Sequence, residues 1–163
     1  MISSVFDVVI CKIKIIIYRI SFRKRIKIGK NVRFKRRCKF YVNKGASLCL
    51  GKNVFFNRDC SVIANGKIDI EDDCLFGENV KIYDHNHIFN LNGTNINRLG
   101  LNIGEVHIGK NCWIGSNVVI LKGTNIGDNC VIGAGITITG NIEPNTIVKQ
   151  NYSALLKEKI LFH

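Results

Sequence analysis

Residues 108–143 read IGKNCW IGSNVV ILKGTN IGDNCV IGAGIT ITGNIE, consecutive hexads in which Ile108, Ile114, Ile120, Ile126, Ile132 and Ile138 all take the first slot. A period of six fits neither a 3.6-residue helix nor an isolated alternating strand. The same frame recurs upstream. LGKNVF, FNRDCS and VIANGK run from Leu50, and IEDDCL, FGENVK and IYDHNH run from Ile70 after a two-residue slip. A weaker copy, IGKNVR and FKRRCK, starts at Ile28. The repeat therefore covers most of residues 28–143.

Each slot has a physical reading. The first points a large aliphatic group inward, where equivalent residues of successive turns stack into one core. The fifth holds Cys38, Val54, Cys60, Cys74, Val80, Cys112, Val118, Thr124 and Cys130. These are small side chains, so five of the seven cysteines are accounted for as compact buried fillers. Between them the pairs Gly29/Asn31, Gly51/Asn53, Gly77/Asn79, Gly109/Asn111, Gly115/Asn117 and Gly127/Asn129 supply residues that tolerate left-handed backbone angles at corners. Three hexads closing one turn of a triangular coil predict an all-β parallel β-helix, of roughly four full coils and a partial one.

The rest of the composition is unevenly placed. The net charge of +12 lies wholly in residues 1–39, where Asp7 is the one acid. Residues 2–20 interleave cations with Ile2, Val5, Phe6, Val9, Ile13, Ile16, Ile17 and Ile20, which can line one face of a helix. Lys12 and Lys14 make that run too short and too charged to span a bilayer, and it lacks the layout of a signal peptide. Two readings stay open for it: a cap over the open end of the coil, or a basic amphipathic helix on an anionic membrane surface. The segment is rich in isoleucine and poor in residues that read or stack on bases, so no nucleic acid is expected. An odd number of cysteines without a CxxC pair points to reduced thiols and a cytoplasmic protein. The expected layout is a basic segment at 1–27, the β-helix at 28–148 and a C-terminal tail or helix at 149–163.

Between Ile88 and Ile108 the hexads fail for about one coil, giving an extruded loop at about 89–107. Insertions in a strict repeat map to loops that carry function. Just before it stands IYDHNHI, residues 82–88, with His85 and His87 on the same side of an extended chain.

The repeat resembles the hexapeptide-repeat acyltransferases. With YDHNH before a loop and NCWIGSN (111–117) after it, the chain looks most like the galactoside, maltose and xenobiotic O-acetyltransferases and their relatives in surface-polysaccharide synthesis. That resemblance implies a left-handed coil, a homotrimer and acetyl-CoA as co-substrate, with transfer to a sugar hydroxyl. It makes His85 the general base, a task for which imidazole's ordinary pKa is suited. Asn57, in FFNRDC, matches an asparagine that contacts the acceptor; Asp84 and His87 are read as acceptor-binding beside it, with His87 the second choice for the base. The same resemblance implies that Trp113 lies along the acyl-CoA site and that Ser116 and Ala134 (in IGAG) line the pantetheine arm. After EPNTIV the family pattern is lost. Gly140 stands where a phosphate-contacting lysine is usual, and Gln150 to Ala154 replace GNPAK, so Lys149, Lys157 or Lys159 is left to meet the phosphates. Metal catalysis of the γ-class carbonic anhydrase kind, which shares this fold, needs a histidine pair five residues apart. The chain has none, so no metal is expected. N-acetylation of an amino-sugar nucleotide and a non-catalytic β-helix scaffold remain as alternatives. The charge at 1–39 would suit a place at the inner face of the cell membrane.

Overall fold

The structure is a computed structural model that describes residues 5–89 and 95–150. Helix α1 (Val5–Phe22) leads into a coil whose strands fall into three parallel sheets. The first sheet stacks Ile26–Ile28, Ser47–Leu50, Lys67–Ile70, Glu105–Ile108, Asn125–Ile126 and Asn141–Ile142. The second runs from Arg33–Phe34 to Ile147–Val148, and the third from Lys39–Val42 to Thr137–Ile138. This is the parallel β-helix expected from the hexads, of the left-handed kind that the family resemblance implies. It has five complete coils and a partial sixth, one more than the sequence predicts.

The register explains the miscount. Along the first sheet Ile28 pairs with Leu50, Leu50 with Ile70, Ile70 with Ile108, Ile108 with Ile126 and Ile126 with Ile142. The coil step is thus 22, 20, 38, 18 and 16 residues, as the contacts between equivalent corner residues also show. Within each coil the hexad from first to second sheet and from second to third is constant. All variation falls at the corner between the third sheet and the next first sheet.

The core is a column of first-slot side chains. Ile70, Ile82, Ile108, Ile114, Ile120, Ile126 and Ile132 are fully buried, each worth about 1.5–3 kcal/mol relative to exposure. Toward the N-terminal end the aliphatics give way to an aromatic ladder. Phe34 and Phe56 each lie 5.1 Å from Phe40 between ring centroids, and Phe56 stacks on Phe76 at 4.3 Å. Cys38, Cys60, Cys74, Cys112 and Cys130 are buried as expected. Each thiol also donates to a carbonyl of the next coil, as Cys74 does to Gly109 at 3.0 Å and Cys130 to Glu143 at 3.1 Å. All seven cysteines are free thiols.

The corner pairs divide their labour in a way the sequence did not show. Only the asparagine takes the left-handed conformation, with Asn31, Asn53, Asn79, Asn111, Asn117 and Asn129 at φ between 53° and 60°. Their amides bond from coil to coil, Asn111 to Asn129 at 2.9 Å and Asn129 to Asn145 at 3.1 Å. At one rung an ion pair replaces the amides: Arg37 (φ 62°) grips Asp59 (φ 64°) with both carboxylate oxygens engaged. The glycine serves close approach instead. A Cβ on Gly115 would lie 2.6 Å from the backbone nitrogen of Ala134 in the coil above.

Helix α1 closes the N-terminal end. Cys11, Ile15, Tyr18 and Phe22 pack onto the core, with Tyr18 6.2 Å from Phe34 and 5.6 Å from Phe40 between ring centroids. Lys14, Arg19 and Arg25 donate to the carbonyls of Cys38, Ile28 and Val42. The cap is therefore real, and it covers what would be an open end of stacked strands. No described helix is long and apolar enough to cross a membrane. The expected C-terminal tail or helix from 151 onward, with Lys157 and Lys159, lies outside the described residues, as do residues 90–94 of the loop.

Candidate active site

The chain leaves the coil at Asp84 rather than at 89. His85–His87 pairs antiparallel with Leu101–Ile103, His85 opposite Ile103 and His87 opposite Leu101. Glu105–Ile108 already belongs to the first sheet, so the excursion ends at Gly104 rather than at 107. Strand pairing sets both boundaries, because the hairpin begins at His85 and the first sheet resumes at Glu105.

His85 sits at the root of this hairpin, partly buried. Its Nδ1 lies 3.1 Å from Oδ1 of Asp84 and 2.9 Å from Nδ2 of Asn65. Asp84, expected among the acceptor-binding residues, is completely buried. Its carboxylate accepts the backbone N–H of Asn65 at 2.9 Å and that of Gly66 at 2.8 Å. It therefore holds the corner of the preceding coil and the ring of His85, and cannot touch a substrate. Tyr83 adds an edge-on ring contact to His85 at 6.1 Å.

Which imidazole nitrogen carries the proton follows from these partners. Asn43 Nδ2 donates to Asn65 Oδ1 at 2.7 Å, and Lys44 N donates to Asn43 Oδ1 at 2.9 Å. Kept in that sense, the amide chain would aim Asn65 Nδ2 at an Nδ1 lone pair, and would set the same lone pair against the buried carboxylate. Turning both amides lets Nδ1–H donate to Asp84. The turn also sets Asn43 Nδ2 against the exposed Lys44 N–H, so the Asn43 side chain must swing aside for water to take that hydrogen bond, at a net cost of about 1 kcal/mol. A lone pair facing a desolvated carboxylate costs more, because the interior screens charge poorly. We assign the proton to Nδ1, which leaves the Nε2 lone pair free to act as a base.

The remaining candidates do not converge on His85 within one chain. His87 is exposed further along the hairpin. Asn57, Ser116, Ala134 and Lys149 follow second-sheet strands and line the edge between the second and third sheets. There Asn57 Oδ1 accepts from Arg58 N at 3.0 Å, Ser116 Oγ accepts from Glu78 N at 3.1 Å, and Gly135 N donates to Ser116 O at 2.8 Å. Trp113 points outward from the second sheet, 53 % exposed, between Leu75 and Val131. His85 stands at the opposite border of the third sheet, so Asn57, expected close to the base, is separated from it by the width of that sheet.

Asn65 is the site residue that sequence reasoning missed. Its signal was present in the coil step: at 20 residues per turn, Asn65 lies directly under His85. The asparagine of VIANGK is therefore more than a turn residue.

With this geometry in view, the likeness to known proteins can be placed. Residues 105–140 match the family model described as the hexapeptide repeat of succinyl-transferase. No curated protein matches the chain. Among solved structures, a maltose O-acetyltransferase from Clostridium difficile 630 is 35 % identical, covering 76 % of this chain and 61 % of its own, with a TM-score of 0.54. A galactoside acetyltransferase in complex with coenzyme A is 29 % identical, covering 81 % of this chain and 65 % of its own, with a TM-score of 0.62. A hexapeptide-repeat acetyltransferase from Vibrio cholerae O1 biovar eltor, complexed with acetyl coenzyme A, shares the fold at 23 % identity and a TM-score of 0.62, covering 74 % of this chain and 63 % of its own. The chain thus spans less than two thirds of the length of each of these neighbours. Repeat and coil together make it a hexapeptide-repeat β-helix, similar to those of the acetyltransferases just named.

Proposed function

We propose that the protein is an acetyl-CoA-dependent O-acetyltransferase that modifies a sugar hydroxyl, in the synthesis of a surface polysaccharide. The observation that carries this reading is the Asp84–His85 pair, a ring fixed through Nδ1 by a buried carboxylate with Nε2 left as a base. The two neighbours of highest identity named above are a maltose O-acetyltransferase and a galactoside acetyltransferase, which favours a sugar acceptor.

In the proposed reaction Nε2 takes the acceptor hydroxyl's proton as the oxygen attacks the acetyl carbonyl. The C–O bond forms, the C–S bond breaks as the tetrahedral intermediate collapses, and the proton passes from Nε2 to the departing CoA sulfur. No acyl-enzyme is required. Trp113 would flank the pantetheine arm, with Ser116, Ala134 and Lys149 along the same edge toward the nucleotide. These residues and His85 border opposite sides of the third sheet. A homotrimer packed around a threefold axis would set one copy's donor edge against the next copy's His85.

The test is release of free CoA thiol from acetyl-CoA with candidate glycans, comparing the protein with His85→Ala. Loss of release in the variant and an alkali-labile product support the reading. An alkali-stable product marks an amide and so N-acetylation. Undiminished turnover in His85→Ala would remove the histidine mechanism.

A further inference from the structure

The helix that caps the coil is apolar on two opposite faces. Cys11, Ile15, Tyr18 and Phe22 face the core. Val9, Ile13, Ile16 and Ile20 recur at the complementary i, i+4, i+7, i+11 positions, with Ile17 beside them, and these five are 48–69 % exposed. The stripe that periodicity alone would have assigned to the core is thus the outward one. Exposed aliphatic stripes of this length are not neutral surface.

We infer that this outward face of α1 seats the protein on an anionic lipid bilayer. Charge complementarity selects that occupant. Lys12 borders the stripe, and Arg23 and Lys24 follow at the helix end. The whole excess charge of +12 is concentrated in residues 1–39, with one acid among them. An apolar strip edged by cations matches the acyl boundary and the phosphate layer of a leaflet at the same time. Several of the remaining cations are held back for the coil, since Lys14, Arg19 and Arg25 donate to its carbonyls. Those donations tie the helix down and keep its outer face turned away from the core. The helix would lie in the interface and not cross it, because no described helix is apolar enough to span. A nucleic acid would find cations but also a row of isoleucines that neither stack nor hydrogen-bond. This inference goes beyond the transferase reading and does not depend on it.

Co-sedimentation of the full chain with sucrose-loaded vesicles tests the inference, using phosphatidylcholine alone and phosphatidylcholine mixed with phosphatidylglycerol. Binding is expected to the anionic vesicles, to weaken as salt rises, and to fall about tenfold or more on neutral ones. The stripe variant Ile13→Gln, Ile16→Gln, Ile20→Gln should lose binding by a similar factor while melting like the parent, since its replaced side chains are exposed. A second variant, Lys12→Glu, Arg23→Glu, Lys24→Glu, should lose only the preference for anionic lipid. Equal sedimentation of parent and stripe variant would overturn the inference, as would a parent that binds neutral and anionic vesicles alike. A parent that self-associates in solution where the stripe variant does not would also overturn it, by marking the face as an interface between copies. So would retention on a DNA or RNA column that the stripe variant shares, combined with no binding to vesicles.

Discussion

Nδ1 of His85 lies 3.1 Å from Oδ1 of Asp84, its neighbour in the chain, although the backbone between them turns from coil to hairpin. Asp84→Asn should leave His85 in place but remove the preference for Nδ1–H, lowering turnover by about 10- to 1000-fold without a matching change in acceptor KM. His85→Ala should lose about 10²–10⁴-fold. Asp84→Asn should also cost about 1–3 kcal/mol of stability, because two backbone N–H groups lose an ionised acceptor. Steady-state kinetics together with thermal unfolding check both effects. Unchanged turnover in Asp84→Asn would show that the carboxylate serves the corner alone.

Close stacking of the coils predicts a graded glycine series. In Gly115→Ala the new Cβ would meet the Ala134 backbone nitrogen at 2.6 Å, and neither backbone can yield without shifting a sheet. In Gly133→Ala the nearest atom, Val148 O, is 3.1 Å away near the end of the coil. The first should lose about 1–3 kcal/mol and the second less. Urea unfolding of the pair reads the difference, and equal costs would contradict the stacking argument.

The asparagine corner separates backbone conformation from side-chain bonding. Asn129 has φ 58° and bonds to both Asn111 and Asn145. Asn129→Gly keeps the conformation and loses the bonds. Asn129→Ala loses both and should be less stable than Asn129→Gly by about 1–2 kcal/mol. Equilibrium melts of the two variants decide which contribution is larger.

Thiol chemistry offers a pH-dependent probe of burial. Cys49 is the one cysteine that is not fully buried. Burial, together with the neighbouring Asp69 carboxylate, pushes its thiol above the ordinary value. Because the thiolate is the reactive form, a raised pKa means that reactivity appears late as pH rises. Iodoacetamide should therefore modify Cys49 slowly at neutral pH and faster above the ordinary thiol range. Cys74, held far above its ordinary value by the Cys112 thiol beside it and by burial, should stay protected in the folded state. Peptide mass spectrometry across a pH series resolves the sites. Equal labelling of Cys49 and Cys74 would mean that the coil opens.

The sequence made the coil readable wherever one aliphatic residue type occupies one slot, as from Ile108 to Ile138. It undercounted the coils at the two ends. There the inward residues are Ile28, Phe34 and Phe40, or the corner from Ile138 to Ile142 is shortened. The place of His85 was legible because it precedes a visible break in the hexads. Its support was less so. Asn65 meets His85 only through the 20-residue coil step, which the pairing sets and no local motif announces. Helix α1 was ambiguous for another reason. Two apolar stripes compete for the core, and the choice falls to Tyr18 and Phe22, which find the rings of Phe34, Phe40 and Tyr41.

The steps of 22, 20, 38, 18 and 16 residues, all absorbed at a single corner, make this coil a natural host for grafting. A foreign peptide spliced between Ile120 and Ile126, or between Ile138 and Ile142, would emerge from the same edge as the His85 hairpin, one or two rungs along. The three stacked sheets beneath it would keep their pairing, so new recognition elements could be set beside His85 without redesigning the scaffold.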